Sequence, residues 1–235
     1  MPAVVFGPEH WIYLAIHIVF SVVVLELGKK FAKTERSQSI FLKCLAIALF
    51  ATILLNRLSQ VFRYGLVRWE QIIPDSFCGM SSLVLSMAVL LGKKNNPVLH
   101  FVWFLALVGG VITLGYPSFL DQGPTIFYLP TISGLLHHSF AIIVVVAVLM
   151  FDQIQITWRK WYYSLFGFTC YLTVGAFLMS VFKVSDAFHI VEPMLSGTPL
   201  TVWVVAPIYA AGYGAVLAAI ELFRKKQQYK KREGQ

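Results

Sequence analysis

Cys78, His137 and His138 are the residues of this chain whose types could support covalent chemistry. A cysteine thiol attacks a carbonyl carbon well only as its thiolate, and a neighbouring imidazole can take the proton. Such a pair supports acyl transfer through a thioester. Taken alone, Cys78 reads as a small packing residue, as do Cys44 and Cys170, because free cysteine behaves as a small hydrophobe. Adjacent histidines are harder to dismiss, since an imidazole in apolar surroundings needs a hydrogen-bond partner. Adjacent helical residues project about 100° apart, so His137 and His138 are expected to take different roles. Gly134, one turn before His138, leaves room beside it, and Ser133 stacks under His137. Three cysteines cannot all pair and show no zinc spacing, so neither a disulfide framework, a metal site nor a cofactor is expected.

The elements that must position these residues are membrane spans. Apolar residues make up 58% of the 235 and charged residues 13%, against roughly 45–50% and about 25% in an ordinary soluble domain. With a mean hydropathy of +0.73, this excludes a disordered chain, a secreted disulfide scaffold and a simple soluble enzyme. A helix needs about 20 mostly apolar residues to cross the hydrocarbon core. Seven stretches qualify: Trp11–Leu27, Phe41–Gln60, Pro74–Leu91, Val98–Tyr116, Pro130–Phe151, Trp161–Phe182 and Pro199–Phe223. Proline opens the third, fifth and seventh, and tryptophan or tyrosine marks several ends. The expected fold is all-α, one seven-helix transmembrane domain over 1–223 with a basic tail over 224–235.

Basic residues alternate with these spans. Lys29, Lys30, Lys33, Arg36, Lys93, Lys94, Arg159, Lys160 and six residues of the tail make fourteen on one side. Arg63, Arg68 and Lys183 make three on the other, where Glu70 and Asp75 also lie. The positive-inside rule then puts the N-terminus outside and the C-terminus in the cytoplasm of a multi-pass cell-membrane protein. Topology accounts for the net charge of +8 without a nucleic-acid partner. Met1–His10 lacks the basic n-region of a signal peptide, so the first span is read as retained.

Ionisable groups within spans cost about 2.5–3.5 kcal/mol each by insertion scales, so they usually face a cavity or a partner. Glu26 and Lys43 lie near cytoplasmic ends and can snorkel, His100 opens a span on that side, and His10 and His189 fall in outer loops. His17, Asn56 and Arg57 lie in the outer half. Cys78 is four residues below Pro74, ~6 Å, and His138 eight below Pro130, ~12 Å, at the helical rise. Polar groups from four spans thus share one depth.

Pro74-Asp75-Ser76-Phe77-Cys78, the Gly109-Gly110 pair, Tyr116-Pro117 and His137-His138 occur in this order, followed by Pro193 and Trp203–Tyr209. Together they resemble the bacterial YwaF-like integral membrane family over about Leu55–Tyr213. That family is similar in turn to a eukaryotic transmembrane acyltransferase that remodels ether phospholipids with a cysteine and a histidine. The resemblance implies Cys78 as nucleophile and His138 as its histidine. Two positions depart from the pattern. Ser76 stands where the family often has histidine, and His137 where it usually has serine, so His137 is a second candidate for the base.

The leading expectation is a membrane acyltransferase or transacylase whose partner is a phospholipid or lysophospholipid. Cys78 and His138, or His137, would be catalytic; Arg57 would hold the lipid phosphate, with His17 and Asn56 completing the polar cavity. A non-enzymatic binding or transport protein for a small molecule or lipid is the alternative class. A heptahelical zinc hydrolase ranks third, because the last two spans contain no histidine and adjacent histidines seldom chelate one metal from a regular helix. A retinal protein is excluded by the lack of lysine in the seventh span.

Overall fold

Helix boundaries follow the local chemistry that starts and stops them. The structure, a computed structural model, describes residues 5–64, 72–121, 123–195 and 197–233; Arg68 and Glu70 fall outside these. The α-helices among the described residues are α1 (Pro8–Phe31), α2 (Glu35–Tyr64), α3 (Phe77–Leu91), α4 (Pro97–Gly115), α5 (Leu129–Met150), α6 (Trp161–Val181) and α7 (Val202–Glu233), and no strand is found among them. Proline opens α1, α4 and α5, where its missing N–H costs nothing. Ser76 caps α3 by accepting from the Gly79 amide at 3.2 Å, and Asn96 caps α4 by accepting from Leu99 at 3.0 Å.

These caps correct the expected bounds. Pro74 stands outside α3, and Pro199 outside α7, which starts at Val202. Helix α7 also runs on past Phe223 to Glu233, with Pro207 inside it. Because Pro8 already begins α1, His10 lies in its first turn, buried, and not in a loop.

Six of the helices are long and apolar enough to cross a membrane. The exception is α3, whose 15 residues reach about 22 Å against about 30 Å of hydrocarbon. The third expected span is therefore a short helix, and its first turn starts inside the bundle.

Burial ranks the helices. Helix α5 is the axis, with 67% of its apolar window buried, and α1 is peripheral, with 11%. Helices α2 and α4 pack on α5, α3 packs on α2 and α4, α6 lies on α4 and α7 on α6. Lipid tails are as apolar as leucine, so helix association rests on close fit and polar ties. Small residues supply the fit: a Cβ on Gly28 would stand 2.6 Å from the Phe41 ring, and one on Gly167 2.4 Å from Phe101.

Polar ties cluster at the two ends. At one end His10 Nε2 donates to the Leu114 carbonyl (2.8 Å) while its Nδ1 accepts from the Phe6 amide (3.1 Å). Glu9 accepts from the Ile126 amide (2.7 Å) and the Thr125 hydroxyl (2.8 Å), and Arg63 pairs with Asp121 at 3.0 Å. At the other end Asn95, in the left-handed region at φ 61°, gathers the His100 ring (2.8 Å), Lys160 Nζ (2.9 Å) and the Gln155 amide (3.2 Å) on its Oδ1. That end carries Lys29, Lys93 and Arg159; the first end carries the candidate site.

Candidate functional site

A cavity of about 680 Å³ opens between α2, α3, α4 and α5 at the end where α3 begins. Cys78, His137, His138, Arg57 and Asn56 all line it, with Gln60, Thr113 and His189. Each is placed by an identifiable local cause.

Cys78 is the second residue of α3, directly after the Ser76 cap. The Gly79 amide is taken by Ser76 Oγ and the Met80 amide by the Ser76 carbonyl. The first amides of a helix have no acceptor within it, and that of Cys78 lies against its own thiol sulfur. The thiol rests against α4, with the Thr113 hydroxyl in reach, and a Cβ on Gly109 would stand 2.7 Å from its Sγ. A Cβ on Gly110 would stand 3.2 Å from the His138 carbonyl and 2.8 Å from Ile142. The glycine pair therefore lets α4 touch two neighbours at once, the cysteine helix through Gly109 and the histidine helix through Gly110. Cys44 is exposed on α2, and Cys170 lies on α6; neither lines the cavity.

The two histidines sit together. His137 and His138 are both 3% exposed, and their ring centroids are 4.0 Å apart at 35°. The 100° offset of adjacent helical residues did not separate them, because both side chains swing toward the same cavity. At this tilt no hydrogen bond joins the two rings. Among the described residues neither ring nitrogen of His137 makes a well-formed hydrogen bond, although the Ser133 carbonyl, one turn back, lies near. Gly134 does not make room for His138: its face is filled by Leu120 of the α4–α5 connection, 2.8 Å from a Cβ there.

Arg57 reaches the first turn of α3, where Nη2 is 3.6 Å from the position of a Gly79 Cβ, and its Nη1 faces Asp75 Oδ1 at 4.0 Å. Asn56 has a structural duty as well. Its amide donates to the Pro130 carbonyl and to Ser133 Oγ, both at 3.1 Å, tying α2 to the start of α5.

His17 is the exception and a correction. It does not line the cavity. Helix α1 packs on another face of α5, through Tyr13 and Ser139 (2.8 Å) and the Phe20 and Phe140 rings (6.0 Å), and His17 Nδ1 pairs with Ser21 on its own helix at 3.2 Å. Shared depth gave no information on which way α1 turns its side chains.

His189 was missed, having been read only as a loop residue. The α6–α7 loop brings it over the cavity through two consecutive left-handed residues, Phe188 (φ 57°) and His189 (φ 53°). Bulky residues rarely adopt this conformation, and a well-anchored surround must hold it. The Phe188 ring supplies the anchor, fully buried between Phe77 and Tyr171 and against Gly175, while its amide donates to the Asp75 carbonyl at 2.7 Å. Asp186 holds the loop by accepting from the Val191 and Glu192 amides at 3.0 Å. No short-range sequence signal marks this arrangement.

Among the described residues no group of three or more His, Cys, Asp or Glu is arranged to hold a metal ion. The chain matches the model of the TMEM164 family over residues 5–223, and it belongs to that family of transmembrane proteins. No curated protein and no solved structure matches it.

Proposed function

We propose that this chain is a multi-pass membrane acyltransferase or transacylase acting on phospholipid acyl chains through Cys78. The observation that carries the reading is the meeting of Cys78, at the open start of α3, with His137 and His138 around one cavity. The resemblance to cysteine- and histidine-dependent lipid remodelling proteins points the same way. A cavity of about 680 Å³ falls within the roughly 300–1,000 Å³ of ordinary ligand sites.

In this reading His138 takes the Cys78 proton as Sγ bonds to the ester carbonyl carbon. The tetrahedral intermediate collapses with cleavage of the bond to the glycerol oxygen. His138 returns the proton to that oxygen, releasing lysophospholipid and leaving an acyl-cysteine. A second lysophospholipid hydroxyl gives its proton to His138, attacks the thioester and regenerates the thiol. Arg57, beside the first turn of α3, holds the phosphate, an arrangement favoured by the helix N-terminus. Fourteen basic residues against three put the site end outside, so the substrate is drawn from the outer leaflet and α3 counts as a seventh, short span.

The test follows acyl exchange between fluorescent-acyl phosphatidylcholine and lysophosphatidylcholine in proteoliposomes. Cys78→Ala should abolish exchange and the acyl adduct on Cys78 seen by mass spectrometry, while Cys44→Ala and Cys170→Ala stay near the parent. Full exchange by Cys78→Ala would end the covalent reading. A silent parent would favour the non-enzymatic binding or transport protein.

A further inference from the structure

An ester attacked by a thiolate passes its charge to the carbonyl oxygen, and a catalyst must meet that charge with donors already in place. Two groups at the cavity have donors that make no well-formed hydrogen bond to an oxygen or nitrogen among the described residues. One is the Cys78 amide at the start of α3, which bonds to no backbone carbonyl among the described residues and lies against its own thiol sulfur. The other is His137, 3% exposed and lining the cavity, whose ring nitrogens make no well-formed hydrogen bond among the described residues. An imidazole carries at least one N–H in either tautomer, so His137 always has a donor to give. Its ring lies 4.0 Å from that of His138 at a tilt of 35°, and no hydrogen bond joins the two. Leaving such a group buried and unsatisfied is costly.

We propose that the Cys78 backbone amide and a ring N–H of His137 form an oxyanion hole. This rests on the acyl-transfer reading and deepens it, dividing the histidine pair by role. His138 moves the proton, and His137 holds the charge. As Sγ bonds to the carbonyl carbon, the carbonyl π pair moves to oxygen and is received by these two donors. On collapse the pair returns, the carbonyl re-forms and the alkoxide leaves with the proton from His138. The thioester is resolved through a second oxyanion in the same place, so both half-reactions depend on His137.

The experiment compares His137→Leu and His137→Gln in the proteoliposome exchange assay, with single-turnover growth and decay of the Cys78 acyl adduct followed by mass spectrometry. Loss of one oxyanion donor typically costs about 10²–10³-fold, so His137→Leu should slow adduct formation and decay by that factor. Its melting temperature should equal or exceed the parent's, because an unsatisfied buried polar group is gone. His137→Gln, whose side-chain amide offers an N–H, should retain more activity than His137→Leu, with the pH–rate profile unshifted in both. Parental rates in His137→Leu, equal losses in the two variants, or a shifted profile would each overturn the donor role while the acyl-transfer reading stands. A parent that forms no adduct and exchanges no acyl chain would overturn both.

Discussion

Replacing Gly109 with alanine tests the positioning of Cys78, the proposed nucleophile, most directly. The new Cβ would stand 2.7 Å from Cys78 Sγ, whereas nonbonded heavy atoms settle near about 3.5–4.0 Å. The separation must grow by about 1 Å. The contact on the far side is the α3 backbone itself, with Cys78 Cα at 3.7 Å, so the first turn of α3 moves with the sulfur. Overpacking of this sort costs about 1–3 kcal/mol, and alanine recovers roughly 1 kcal/mol over glycine in a helix interior. The protein should therefore fold, with a melting temperature in detergent near or modestly below the parent's. Catalysis should suffer far more, because displacement of a reacting group by about 1 Å can cost about 10²-fold. Gly115→Ala, on the same helix with nothing within 4 Å, is the matched control and should keep parental exchange. Gly110→Ala meets the flexible Ile142 side chain at 2.8 Å before the His138 carbonyl at 3.2 Å, so its loss should be smaller. Parental exchange by a folded Gly109→Ala protein would refute the reasoning.

Asn56→Ala removes two hydrogen bonds from α2 to α5 and should cost about 1–3 kcal/mol, read as a lowered melting temperature; an unchanged one would deny the tie. Phe188→Ala empties a fully buried aromatic site, worth about 3–5 kcal/mol in a packed core. That loss should loosen the α6–α7 loop and raise tryptic cleavage after Lys183, whereas unchanged cleavage would mean the ring is no anchor. In a protein lacking its own cysteines, Ser118→Cys should react with an impermeant thiol reagent from outside intact cells and Lys94→Cys only after permeabilisation. The reverse pattern would invert the assigned orientation.

Hydropathy alone located all seven helices to within a few residues at most ends, because a bilayer-length apolar run leaves few alternatives. It mistook the extent of α3, placing its start at Pro74 whereas the helix waits for the Ser76 cap. The site was legible in its depth and less so in its direction. Cys78, Arg57, Asn56 and both histidines line one cavity, whereas His17, at similar depth, faces its own helix, since helix rotation depends on tertiary packing. Depth alone singles out Asn56, and its side-chain amide bonds to α5. His189 could not be found at all, for its place depends on a left-handed pair held by contacts far away in the chain. The Gly109-Gly110 pair stood out only as part of a resemblance, and its physical purpose required knowing what lay on either side.

The loop between α6 and α7 changes how this site can be reached by a large molecule. Its tip carries the exposed Val191, and Trp203 just beyond it is exposed as well. At its base Phe188 bonds to the Asp75 carbonyl, three residues before Cys78. The loop and the first turn of the cysteine helix therefore belong to one mechanical unit. A nanobody that grips the tip and levers Phe188 from its socket would disturb the turn that carries the thiol, without itself entering the bilayer. The proposed site is thus open to disturbance through the loop that leans on it.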